Sequence, residues 1–167
     1  MIFVTVGAQM AFDRLVAAVD DWAGRTPGAD VFAQIGPSEL QPKHLRWERF
    51  LEPAAFRERV LACDAIVAHA GMGSILTALE HGKPILVMPR RGDLQETRND
   101  HQVATAARFR EMGRVAVADD ATELAPWLDR IKDLRAAERI SSHASPQLLD
   151  ALRAVVRDAV PARKAGA

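Results

Sequence analysis

The residues best placed for chemistry are His69-Ala70-Gly71-Met72-Gly73-Ser74, set between an apolar run and a helical pattern. Two glycines let a backbone come close to a ligand, and a helix that follows offers unpaired N–H groups and a positive dipole end. That combination suits a phosphate or diphosphate, although the same spacing also fits an ordinary strand–helix turn. It is neither a Walker A loop, because no Gly-Lys-Ser/Thr follows, nor the G-x-G-x-x-G dinucleotide fingerprint. His69, at a strand end, either contacts the ligand or hydrogen-bonds backbone. His101-Gln102 open a helix after a polar loop, where they either face the same crevice or are solvated. Arg90 and Arg91 either meet phosphate or a partner's carboxylates, or are a solvated surface pair.

Other chemistries lack their residues. The chain has no G-x-S-x-G elbow, no H-E-x-x-H helix and no Asp-x-Asp pair. Asp119 and Asp120 read as a turn and helix cap, not as metal ligands. Cys63, the single cysteine, excludes an internal disulfide framework and reads as a small buried residue. Trp22, Trp47 and Trp127 sit among apolar neighbours and read as core or interface.

The elements that must position these groups follow from hydrophobic period. Compact apolar runs at 2–6, 31–35, 65–68, 85–88 and 114–118 predict strands, with a less regular one at 45–51. Helical spacing follows Phe12, Pro53, Ser74, His101, Asp120 and Ser145. Pro53 suits a first helical position, Gly82 a helix stop, and Asp120 with Glu123 a capping box. The last helix, 145–159, is amphipathic through Leu148, Leu149, Leu152, Val155 and Val156; it either covers the sheet or docks a partner. About six strands alternating with helices predict an α/β fold: a Rossmann-like, mostly parallel sheet with helices on both faces. Such sheets bind ligands at the carboxyl ends of their strands. Gly7-Ala8-Gln9, the 69–74 loop and the 89–102 loop would all meet at that edge.

The 167 residues suit one domain, expected over 1–160 with a frayed tail at 161–167. With 22 Lys+Arg against 22 Asp+Glu, the bulk charge of a nucleic-acid binder is missing. No apolar run approaches the ~20 residues of a membrane span. Met1 to Val6 carry no basic lead, so they read as a core strand and not a signal peptide. A soluble, cytoplasmic domain is expected.

Together, Phe3-Val4-Thr5-Val6-Gly7, Phe12-Asp13-Arg14-Leu15-Val16, His69 to Ser74, Glu80-His81-Gly82-Lys83-Pro84 and Asp100-His101-Gln102 resemble the C-terminal domain of glycosyltransferase family 28. The likeness covers about residues 1–118. It is greatest to short stand-alone members: the catalytic subunit of the eukaryotic dolichol-linked GlcNAc transferase and the small subunits of bacterial exopolysaccharide transferases. The resemblance implies the C-terminal half of a GT-B glycosyltransferase that binds a UDP-sugar and inverts the anomeric centre with no metal and no cofactor. It implies a diphosphate site at Gly7, Ala8, Gln9, Gly71, Met72, Gly73 and Ser74. Phe50 and Leu51 would meet the uracil, and His101, Gln102 and Glu96 the donor sugar. Where relatives carry a ribose-binding glutamate this chain has Thr77, so Glu80, one turn on, is the substitute candidate. Ala8 replaces a phosphate-contacting serine of the two-domain relatives. His69 and His101 are the local candidates for a catalytic base, with the partner subunit as the other source.

The resemblance further implies a hexosyl transfer (GlcNAc, glucuronate or glucose) onto a polyprenyl-diphosphate-linked saccharide in bacterial exopolysaccharide synthesis. The expected partner is a membrane-anchored, acceptor-binding subunit that holds this chain at the inner face of the cell membrane. A nucleotide-sugar-binding module without turnover is the alternative.

Overall fold

The computed structural model describes residues 1–141 and 143–159, the side chains of 158 and 159 excepted. The expected tail at 161–167 lies outside the described residues. Six strands, β1 (Ile2–Thr5), β2 (Val31–Gln34), β3 (Arg46–Glu48), β4 (Ala65–His69), β5 (Ile85–Met88) and β6 (Ala116–Val117), form one sheet in the order β3-β2-β1-β4-β5-β6. Every pairing is parallel, so the sheet is more regular than "mostly parallel". The order reverses direction between β1 and β4, and the carboxyl ends of those two strands flank the crevice where such sheets take ligands.

The strands are near-continuous apolar runs because both faces are covered. Alternate residues feed two separate cores. Ile2 and Val4 of β1, Val67 of β4 and Leu86 of β5 pack with α1 (Asp13–Arg25) and α5 (Ala121–Asp129). Phe3, Ile66 and Val87 face α2 (Pro53–Ala62), α3 (Met72–His81) and α4 (His101–Glu111). Trp22 joins the first core and donates Nε1–H to Asp129 at 2.8 Å. Cys63 is buried in the second.

Local signals place the helix ends. Pro53 occupies the first turn of α2, where its missing N–H costs nothing. Gly82 closes α3 at φ 61°, a left-handed conformation that suits glycine. Asp120 caps α5 by accepting from the Thr122 and Glu123 N–H groups. Ile131 lies beyond α5, in a separate 3-10 turn, Ile131–Asp133.

α6 (Pro146–Ala159) departs from this packing. Ser145 caps its first turn through Oγ, yet Leu148, Leu149, Leu152, Val155 and Val156 are all exposed. It does not bury its apolar stripe against the sheet. Of the two expected roles, covering is not what the fold shows.

Candidate functional site

A cavity of about 540 Å³ opens at the carboxyl ends of β1 and β4. Its wall brings together Gly7, Ala8, Gln9, His69, Gly71, Met72, Gly73, Ser74, Thr77, His101 and Gln102, from three separate stretches of sequence. These are most of the residues that spacing and resemblance singled out.

α3 begins at Met72, two residues earlier than its apolar pattern suggests, with Gly71 as N-cap. Met72, Gly73 and Ser74 therefore form its first turn. Their N–H groups precede any helical acceptor, and no side chain caps them. The glycines play different parts. A Cβ at Gly71 would stand 2.1 Å from His69 Nε2, and one at Gly7 would stand 3.0 Å from His69 Cε1. Those two are small so that the imidazole can lie between them. A Cβ at Gly73 would meet nothing within 4 Å, so that position faces open space.

His69 Nδ1 lies 3.4 Å from the Thr5 carbonyl, which can only accept, so this contact puts the ring proton on Nδ1. Burial, then the nearby Arg90 charge, lowers the His69 pKa to about 4. The ring is neutral at pH 7 and weakly basic, which suits holding a ligand better than abstracting a proton. His101, the other histidine, is exposed at the first turn of α4, with Nδ1 against Asn99 Oδ1. Gln102 is 5% exposed, and its Oε1 accepts from Arg90 N at 3.2 Å.

Several predicted residues stand outside the cavity. Phe50 is exposed, and Leu51 packs against the second core. Glu80 lines a neighbouring hollow that shares Phe56 and Thr77 with the main one. Glu96, assigned by resemblance to the sugar, does not line the cavity. Its carboxylate takes Arg14 Nε and Nη2 at 2.7 and 2.8 Å, and Arg91 N at 3.0 Å. With both oxygens engaged, it latches the 89–100 loop to α1.

Among the cavity residues, Gln34 was not identified from sequence, and Arg90 was not told apart from Arg91. Gln34 ends β2 and is 5% exposed; it reaches the Gly7 carbonyl with Nε2 at 3.4 Å and leaves Oε1 buried without a partner. Arg90 was weighed together with Arg91, and the two separate completely. Arg90 is 4% exposed in the cavity wall, whereas Arg91 is exposed and pairs with Asp93 at 2.6 Å. Among the described residues, no group of three or more His, Cys, Asp or Glu is arranged to hold a metal ion.

Comparison with known proteins shows the family and the fold. The model of the glycosyltransferase family 28 C-terminal domain matches residues 1–143. UDP-N-acetylglucosamine transferase subunit ALG13 of Mus musculus is 31% identical over 123 residues. That stretch covers 68% of this chain and 10% of the relative, so the chain spans about a tenth of that relative's length. A solution structure of ALG13 superposes with a TM-score of 0.58 at 19% identity, covering 90% of this chain and 93% of that one. The calicheamicin glycosyltransferase CalG4 gives 0.60 at 17% identity, covering 96% of this chain and 44% of that one. At such identities, the two structures speak for the fold alone.

Proposed function

The chain belongs to the glycosyltransferase family 28 C-terminal domain family, and from that premise we propose that it is the donor-binding, catalytic subunit of a two-component glycosyltransferase. The donor is a UDP-sugar carrying GlcNAc, glucuronate or glucose, and the acceptor is a polyprenyl-diphosphate-linked saccharide of exopolysaccharide synthesis. One observation carries the reading: the uncapped first turn of α3, preceded by Gly71 and flanked by Gly7, opens onto a cavity at the strand-order reversal.

The diphosphate lies against the N–H groups of Met72, Gly73 and Ser74. A helix terminus contributes ~0.3–1 kcal/mol to an anion, and up to ~2 when partly buried. The leaving UDP gains negative charge as the glycosidic bond breaks, so the same groups favour the transition state. This work needs no metal, and EDTA should leave turnover intact. Thr77 and Phe56 extend the cavity toward the nucleoside, and His101 with Gln102 stand on the α4 side for the sugar.

Inversion needs a base for the acceptor hydroxyl. His69 is too weakly basic at pH 7, which leaves His101 or a group of the partner subunit. The partner binds the acceptor, anchors the pair at the inner face of the membrane, and docks on the bare stripe of α6.

Gly73→Val tests the site. Its Cβ meets nothing in the protein, so the variant should fold while its side chain fills the diphosphate position. By calorimetry, UDP should bind the unaltered chain and bind the variant at least ~10-fold more weakly, the loss of about one charge-assisted hydrogen bond. Equal affinity in a folded variant would remove the site from this loop.

A further inference from the structure

The 7–12 loop and the 89–100 loop hold each other through two arginines. Arg14, on α1, donates to Glu96 and, through Nη2, to the Pro89 carbonyl at 3.1 Å. Arg90 returns the contact, donating Nη2–H bonds to the Val6 and Met10 carbonyls at 2.8 and 2.5 Å. Both guanidinium groups stand over the buried Phe12 ring, 5.3 and 5.2 Å from its centroid.

The two cations differ in how their charge is met. Arg14 has a bidentate carboxylate partner. Arg90 makes no ion pair among the described residues, and its Nε is buried with no hydrogen-bond partner. Burial lowers its pKa, but from a value so high that it stays charged at pH 7. The Glu96 charge reaches Arg90 only through space, its oxygens being bonded to Arg14 and Arg91 N. A buried cation without a bonded carboxylate is expensive, and a buried donor left unmade adds to the cost. Among the described residues, Arg90 is also the one Lys or Arg in the cavity wall, on the same wall as His69 and Gly7. The helix terminus opposite supplies only about half a positive charge, too little for a diphosphate.

Resting on the donor-site reading above, we propose that Arg90 is a positioning residue that also serves as the fixed counter-charge of the diphosphate. Through Val6 and Met10 it shapes the loop carrying Gly7, Ala8 and Gln9. With no carboxylate bonded to it, its guanidinium makes the cavity wall electropositive. A bound diphosphate supplies the missing partner, so affinity for the phosphates depends on Arg90 and affinity for the nucleoside does not.

The test is calorimetry of UDP and of uridine with the unaltered chain, Arg90→Met and Arg90→Lys, each checked for folding by circular dichroism. Arg90→Met should lose about tenfold or more in UDP affinity, as expected for a hydrogen bond to a charged group, while uridine affinity stays within about twofold. Arg90→Lys, which keeps the charge but not the fork, should retain most of the UDP preference. Equal losses for UDP and uridine would reduce Arg90 to a structural clamp and overturn the proposal, as would unchanged UDP affinity. Should Arg90→Met fail to fold, two measurements decide. Arg90→Lys must keep the UDP-to-uridine ratio, and inorganic pyrophosphate must shift the His69 imidazole titration upward in the unaltered chain. Failure of either overturns the proposal. The donor-site reading falls separately, if UDP and pyrophosphate both fail to bind the unaltered chain or if Gly73→Val binds UDP normally.

Discussion

The carboxyl edge of the sheet and the C-terminal helix are both unfinished, in opposite ways. At the edge, backbone and side chains are tightly constrained: His69 is wedged between Gly7 and Gly71, and Arg14 and Arg90 lock two loops together. What it lacks is a partner for polar groups, namely the α3 first turn, Gln34 Oε1 and Arg90 Nε. Along α6 the polar face is ordinary and the apolar stripe is bare, with Val155 64% exposed. A gap in polar pairing calls for a small charged ligand. A gap in apolar burial over several helical turns is where the proposed partner subunit would dock. The two kinds of deficit point to two different occupants of one molecule.

The largest effect should come from supplying the second occupant. Reconstitution with a membrane-anchored acceptor-binding subunit, a UDP-sugar and a lipid-linked acceptor should raise turnover over the isolated chain by about a thousandfold or more. Correct orientation of reactants alone is worth up to ~10⁵–10⁸ M in effective concentration. Full turnover by the isolated chain would erase the contrast, because α6 would then need no partner. Nucleotide-sugar binding without turnover in the reconstituted pair would favour the binding-module alternative.

The constrained edge should respond to pH. His69 has a folded pKa of about 4, against 6.5 for an unperturbed histidine. Between those values the unfolded chain binds the extra proton, so stability from the neutral ring is complete above pH 6.5 and declines as pH falls toward 4. The full decline is about 3 kcal/mol, at 1.36 kcal/mol per unit. Urea melts at pH 7, 5.5 and 4.5 should show it, and His69→Gln should flatten that part of the profile. UDP, by placing negative charge near the ring, should raise the pKa and shrink the slope.

A smaller loss should follow Gly71→Ala, whose methyl group would crowd the His69 ring. Overpacking of this kind costs ~1–3 kcal/mol, read as a lower urea midpoint with an unchanged slope. Gly73→Ala should cost less than Gly71→Ala, since its Cβ enters open space. If the two variants lose stability equally, the wedge around His69 is not what Gly71 serves.

The smallest effect belongs to α6. Leu152→Glu and Val156→Glu replace exposed side chains, so the stability of the isolated chain should move by less than ~0.5 kcal/mol. UDP affinity should stay the same, while co-purification with the partner subunit should be lost. A large fall in stability would mean that the stripe is buried by the chain itself, and the contrast between the two regions would collapse.

The sequence by itself determined what depends on neighbours a few residues away. Short continuous apolar runs marked β1, β2, β4 and β5 because a strand covered on both faces buries successive residues. Asp120 with Glu123, Pro53 and Gly82 marked helix ends because a cap is made within one turn. The glycine loop was legible for the same reason, since a close backbone approach needs glycine in place. Tertiary structure alone decided everything whose partner is distant. Arg90 and Arg91 are adjacent and identical in type, yet one meets Val6, 84 residues away, and the other meets Asp93, two away. Glu96 was assigned to a sugar by resemblance, and nothing local reveals Arg14, 82 residues distant. Gln34 reaches Gly7 only because β1 and β2 pair. The apolar stripe of α6 showed a face that wants burial. A one-dimensional pattern gives the need for a partner without its address, and only the folded chain shows that the address lies on none of its described strands.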